Sequence, residues 1–161
     1  SIKNRVIIVP CLNPDGLRVG RRTNGHKVDI NRNFPSSTWE FEYKKYYNNP
    51  GPLPASEPET IIAIELMDKY QPVMIIQLHQ PFASLYPDNR VPEDLIKKIS
   101  EISGLPISYD IGYKTPGSLG SFKSQQEYPI MGITYELGRI DREPDYKKVI
   151  MSLLEAINYE Y

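Results

Sequence analysis

Four short stretches of this chain carry the side chains best able to do chemistry: Asn13-Pro14-Asp15-Gly16, Asn31-Arg32-Asn33-Phe34-Pro35, Leu78-His79-Gln80 and Thr134-Tyr135-Glu136-Leu137. An arginine flanked by amides is a forked donor that holds a planar carboxylate through two parallel hydrogen bonds. Asn31 and Arg32 are therefore candidate carboxylate-binding residues, and on an irregular loop adjacent side chains can converge where strand neighbours diverge. His79 closes one apolar run and is a candidate metal ligand, while Glu136 closes another and is a candidate general base. Each has a plainer reading: a packed strand histidine, a glutamate paired with a nearby Lys or Arg, a solvated surface arginine. The order of the four stretches is what favours chemistry.

These residues need a frame, and the hydrophobic pattern supplies one. Arg5 to Pro10 is a β-branched run closed by proline, the pattern of a strand buried on both faces, and Ser1 leads almost directly into it. Asn13-Pro14-Asp15-Gly16 reads as a tight turn. From Leu17 to Asn49 the sequence lacks periodicity and reads as a long functional loop with one short strand at Val28 to Ile30. Ser56 and Glu59 form a capping box for a helix over Glu57 to Tyr70, with Ile62, Ala63, Leu66, Met67 and Tyr70 at helical spacing. Val73 to His79 is a second doubly buried strand, Pro92 to Ser103 a helix stopped by Gly104, Thr115 to Gly120 a loop and Ile130 to Leu137 a third strand. The last helix repeats Tyr146, Val149, Ile150, Leu153, Leu154 and Ile157 on one face. Alternating strands and helices predict an α/β sheet, and both His79 and Glu136 fall at strand ends, where sites in such sheets gather.

Composition narrows the partners. The chain has 161 residues, 40% hydrophobic, with a formal net charge of -1. That size fits one domain with a real core, and that charge argues against nucleic acid or an anionic membrane as partner, since both need a concentrated basic surface. Cys11 is the single cysteine, so no intrachain disulfide can form; it reads as a small buried hydrophobe. No apolar run approaches the roughly 20 residues a membrane span needs. Without a signal peptide in the sequence, a cytoplasmic location is slightly favoured.

In this order, from Val6 to Leu137, the motifs resemble the zinc carboxypeptidases of the M14 family, and within it the bacterial branch that trims murein peptides. The resemblance implies a mixed, largely parallel β-sheet flanked by helices, with residues 1–161 forming a single, partial catalytic domain that lacks the N-terminal part of the fold. It implies a zinc ion and a peptide substrate cleaved near a free carboxylate. His79 would bind the zinc, whose bound water has its pKa lowered to about 7. Glu136 would move a proton from that water to the leaving amine, and Asn31 with Arg32 would hold the substrate carboxylate. Arg21 would stabilise the oxyanion, with Arg22 as its rival because the register is loose by one. Tyr113 would close over bound substrate, and Asp29 falls where the family has a structural aspartate.

Two departures matter. The family's first zinc motif, His-x-x-Glu, should precede Asn13 and does not. His26-Lys27-Val28-Asp29 imitates it, but His26 reads as an exposed loop histidine. The sequence begins where the missing motif would have ended, so a fragment is expected ahead of a relative that has lost its metal. The alternative function is a metal-free peptide or carboxylate-binding module; ligands supplied by another chain across a dimer fit less well, since the family builds its site within one chain. Gln80 and Pro81 replace the Ser-Tyr of the digestive enzymes, while Thr115 to Ser121 looks like the murein branch, whose extra substrate carboxylates Arg139 or Arg142 could meet. A missing strand is expected to leave an open sheet edge and exposed apolar surface.

Overall fold

The structure, a computed structural model, describes residues 3–139 and 141–161. Ser1 and Ile2, which precede the first expected strand, lie outside the described residues. Two compact units share the chain: a sheet unit of residues 3–7, 73–113, 131–139 and 141–161, and a loop unit of residues 8–72 and 114–130.

The sheet unit holds β1 (Met74–His79), β2 (Ser84–Pro87), α3 (Glu93–Ser103), β3 (Met131–Glu136) and α5 (Tyr146–Asn158). The sheet is mixed, in the order β1-β3-β2, with β1 parallel and β2 antiparallel to β3. Side chains alternate across a strand, so Met131, Ile133 and Tyr135 of β3 face a core closed by Leu95, Ile96 and Ile99 of α3 and Ala156 of α5. Leu95, Ile99, Ile133 and Tyr135 are fully buried. Inside that core the Tyr135 hydroxyl meets the Ser152 hydroxyl at 3.1 Å, which satisfies both polar groups without water. Gly104, in the left-handed conformation, ends α3 as its sequence position implies.

The loop unit holds α1 (Pro14–Val19), α2 (Pro58–Tyr70) and α4 (Leu119–Lys123), with a single 3-10 turn at Ile30–Arg32 and another at Tyr46–Asn48. Its small apolar centre includes Val28, Phe34, Met67 and Ile130, with Phe34 and Phe122 ring centroids 5.8 Å apart. Polar side chains do much of the remaining work. Asn33 is fully buried; its amide donates to the Pro50 and Leu53 carbonyls and Ser56 Oγ, and accepts the Glu57 N–H.

Several expectations are corrected. Arg5 to Pro10 forms no strand, and Val6 to Val9 are exposed, Ile8 at 78%; β-branched propensity makes no strand without a partner. Val28 to Ile30 is not a strand either, because the Asp29 carboxylate accepts the Asn31 N–H and starts the 3-10 turn. The Pro14 turn continues into α1, capped by the Asn13 side chain on the Gly16 N–H. Ser56 is not the cap of α2: Pro58 takes the first helical position, and Ser56 instead bonds the Glu57 carboxylate at 2.7 Å. Strand β2 went unforeseen, and the loop expected to Gly120 stops at Ser118, which caps α4. β1 is an outer strand rather than a doubly buried one, leaving Val73 and Leu78 each 53% exposed. On α5 only part of the stripe packs: Val149 and Leu153 reach the core while Tyr146 and Ile150 stay 58% exposed. Cys11 is half-buried rather than buried.

Candidate active site

In the sheet unit, the parallel register pairs His79 with Glu136, and the antiparallel register pairs Ser84 with Glu136. Paired positions share a face, and their alternation puts His79, Glu136 and Ser84 on the face opposite the α3–α5 core. His79 and Glu136 thus end adjacent parallel strands side by side, the His79 carbonyl accepting the Leu137 N–H at 2.7 Å. Glu136 is buried at 3% exposure. The chain after His79 turns back through a cis Gln80–Pro81 bond, which brings the Phe82 N–H to 3.4 Å from Glu136 Oε2. The Phe82 ring packs against Tyr113, centroids 6.2 Å apart. Three expected site residues, His79, Glu136 and Tyr113, are therefore gathered at one end of this sheet. Arg139 makes a two-point contact with Asp141 at an exposed position, both distances 2.8 Å.

In the loop unit, Arg22 and the Asn31 N–H meet on one buried carboxylate. Asp29, 2% exposed, accepts Arg22 Nε at 2.7 Å and the Asn31 N–H at 3.2 Å. Arg22 is thereby committed to Asp29. Arg21, the other candidate, is exposed and forms no ion pair with a described residue. Arg32 is buried at 6% exposure and its Nη1 donates to the Asn31 carbonyl at 2.6 Å. Asn31 Oδ1 accepts the Leu119 N–H at 2.9 Å. Asn33 does not join the donor group its position suggested; it points inward as the hub described above.

A second polar cluster fastens the chain just before this turn. The Asn24 amide donates to Glu57 and Glu59, and its oxygen accepts the N–H groups of His26 and Val28. His26 Nδ1 lies 2.8 Å from Glu57 Oε2 although its ring is 71% exposed. Burial pushes the Glu57 carboxyl up, but hydrogen bonds from Asn24, Ser56 and His26 outweigh that and hold it below the usual carboxylate range. The same Glu57 contact raises the His26 pKa above 6.5.

Zinc needs three protein ligands and an open position. Among the described residues no three His, Cys, Asp or Glu side chains come together to hold a metal. His79 fits a ligand position at a strand end; the residues around it do not complete a zinc site.

A parallel strand pair in the sheet unit ends in His79 and Glu136, and in the loop unit an Asn-Arg turn adjoins a buried aspartate. The zinc carboxypeptidase family (Peptidase M14) matches residues 3–92, and the chain belongs to that family. The chain is 31% identical over 163 residues to murein peptide amidase A of Escherichia coli K12, covering 94% of this chain and 66% of the relative. It is 29% identical over 127 residues to the human carboxypeptidase N catalytic chain, covering 66% of this chain and 28% of that one. The crystal structure of murein-tripeptide amidase MpaA from E. coli O157 superposes with a TM-score of 0.78 at 27% identity, covering 94% of this chain and 67% of that one. Carboxypeptidase A of Helicoverpa armigera shares the fold at a TM-score of 0.66 and 17% identity, covering 92% of this chain and 49% of that one. The chain thus spans about two thirds of the length of its murein amidase relatives.

Sequence reading missed Phe82, Gly117 and Leu119 because their contributions are made by the main chain. The signals available were Pro81, two residues after His79, and the Pro116-Gly117 pair, each of which marks an irregular turn.

Proposed function

We propose that residues 1–161 form a single, partial catalytic domain of a metallocarboxypeptidase-type hydrolase that cleaves a peptide bond near a free carboxylate, in a murein-derived peptide. The observation that carries this is the pairing of His79 with Glu136 on one sheet face at the ends of parallel strands. In this reading Glu136 moves the proton, held in place by the Phe82 N–H. Arg21 is the donor for the developing oxyanion, since Arg22 is bound to Asp29. Asn31 and Arg32 hold the carboxylate, and Tyr113 covers the bound peptide. The murein assignment is supported by the amidases that the chain is similar to.

The test is turnover of a murein tripeptide by a form of the protein with a complete zinc set, wild type against Glu136→Gln. A fall in kcat of at least about 10²-fold is expected, with peptide binding kept. Near-normal turnover would remove Glu136 from this role. A second reading is favoured by the lack of any three-ligand group among the described residues: a metal-free module that binds peptide carboxylates without cleaving them. It expects Arg32-dependent binding and no turnover after zinc is added.

A further inference from the structure

The short segment 117–122 is fastened to the Asn31–Arg32 turn at several points within the loop unit. The Gly117 carbonyl accepts the Phe34 N–H at 2.9 Å. Gly117 itself, at φ +62°, lies so close to the Arg32 carbonyl and the Trp39 ring that no Cβ would fit. Leu119 opens α4, so its N–H has no partner inside the helix, and Asn31 Oδ1 takes it.

That last bond has a chemical consequence. A carboxamide has one accepting end and one donating end, and crystal-like ambiguity between them is resolved by whichever partner is a donor. The Leu119 N–H can only donate, so it fixes Asn31 Oδ1 inward and turns Nδ2 the other way. The backbone of Asn31 is already engaged, its N–H by Asp29 and its carbonyl by Arg32 Nη1. What Asn31 offers a ligand is therefore an NH2 group, next in sequence to an arginine, whose guanidinium carries donors and no accepting atom.

We infer that the Leu119 N–H is a positioning group that makes this subsite select a carboxylate over a carboxamide. The inference rests on the carboxylate-binding reading of Asn31 and Arg32 proposed above. A carboxylate accepts at both oxygens, whereas a terminal carboxamide must turn its NH2 toward a donor. A site built of donors penalises that mismatch because one buried donor is left unpaired. If Asn31 could rotate, it would offer its oxygen to the carboxamide and the discrimination would fade.

The experiment is an NMR titration of the 161-residue chain with an N-acetyl dipeptide bearing a free C-terminal carboxylate and with its C-terminal carboxamide. Leu119→Pro deletes the donor at the cost of exchanging a half-buried side chain: proline suits the first position of a helix, and Ser118 at φ -79°, ψ 158° already has the extended conformation a pre-proline residue needs. The expected result is a carboxylate-to-carboxamide preference about five- to tenfold smaller than wild type, the loss that goes with one hydrogen bond. Asn31→Asp keeps an acceptor for Leu119 but turns an oxygen outward, so its carboxylate affinity is expected to fall below that of Asn31→Ala. A folded Leu119→Pro chain with the wild-type preference would overturn the inference alone. So would Asn31→Asp binding the carboxylate as well as Asn31→Ala, which decides the matter if the proline variant does not fold. A wild-type chain with no preference, or an Arg32→Gln variant with unchanged carboxylate affinity, would overturn the underlying reading and this inference together.

Discussion

The candidate residues of the two units are placed by opposite means. Around Asn31 and Arg32, each side chain is held by another side chain or by a nearby loop: Asp29 by Arg22, Asn31 by Leu119, Asn33 by four partners. At His79 and Glu136, placement comes from strand register over an apolar core. A polar turn stitched locally can be complete within a short stretch of chain. A metal site needs ligands from distant stretches, and among the described residues no three candidate ligands come together.

That contrast can be tested from both sides. The largest effects should come from one substitution in each region. Leu95→Ala empties a fully buried position under the sheet and is expected to cost about 2 to 5 kcal/mol. Asn33→Ala, with no apolar volume at stake, is expected to cost about 3 kcal/mol by leaving buried backbone groups unpaired. Urea denaturation midpoints check both; an Asn33→Ala chain within about 1 kcal/mol of wild type would mean the stitched turn is not what holds the loop unit.

A smaller effect separates the two neighbouring arginines. Arg22→Gln strips a buried Asp29 of its ion pair and is expected to cost about 1 to 2 kcal/mol, the partner arginine being 42% exposed. Arg21→Gln, at an exposed position, should stay within about 0.5 kcal/mol while weakening turnover in the zinc-complete protein. The reverse ranking would reassign the two roles.

The smallest effect is a pH dependence of the His26–Glu57 contact. The His26 pKa is raised in the folded chain by its hydrogen bond to Glu57. The contact therefore stabilises fully below the ordinary histidine value of 6.5, and that stabilisation is lost as pH rises through the higher folded value. Denaturation midpoints of wild type and His26→Gln, measured from about pH 5.5 to about pH 8.5, should converge toward the alkaline end. A gap that widens there would contradict the pairing.

Much of the fold was legible wherever the signal was periodic burial. The helix stop at Gly104, the strand ending at His79 and the strand ending at Glu136 all lie within a residue of expectation, because each has a core face and a breaker residue. Misreadings came where a polar side chain competes for the backbone: Asp29 turned an apparent strand into a 3-10 turn, and Asn13 extended an apparent turn into a helix. Arg5 to Pro10 failed differently, since β propensity names no partner. In the site, residue types marked the candidates. They could not tell Arg21 from Arg22, nor show that Asn33 faces inward, because both depend on which acceptor the folded chain brings within reach.

The central proposal is that the Asn31–Arg32 turn is assembled for carboxylate binding, while among the described residues no three candidate metal ligands come together. Zinc per chain after dialysis against trace metal, for wild type and His79→Ala, tests it most directly. The account predicts well under one tightly held zinc in both, with carboxylate binding at Asn31 and Arg32 retained. About one zinc per wild-type chain, lost in His79→Ala, would contradict it.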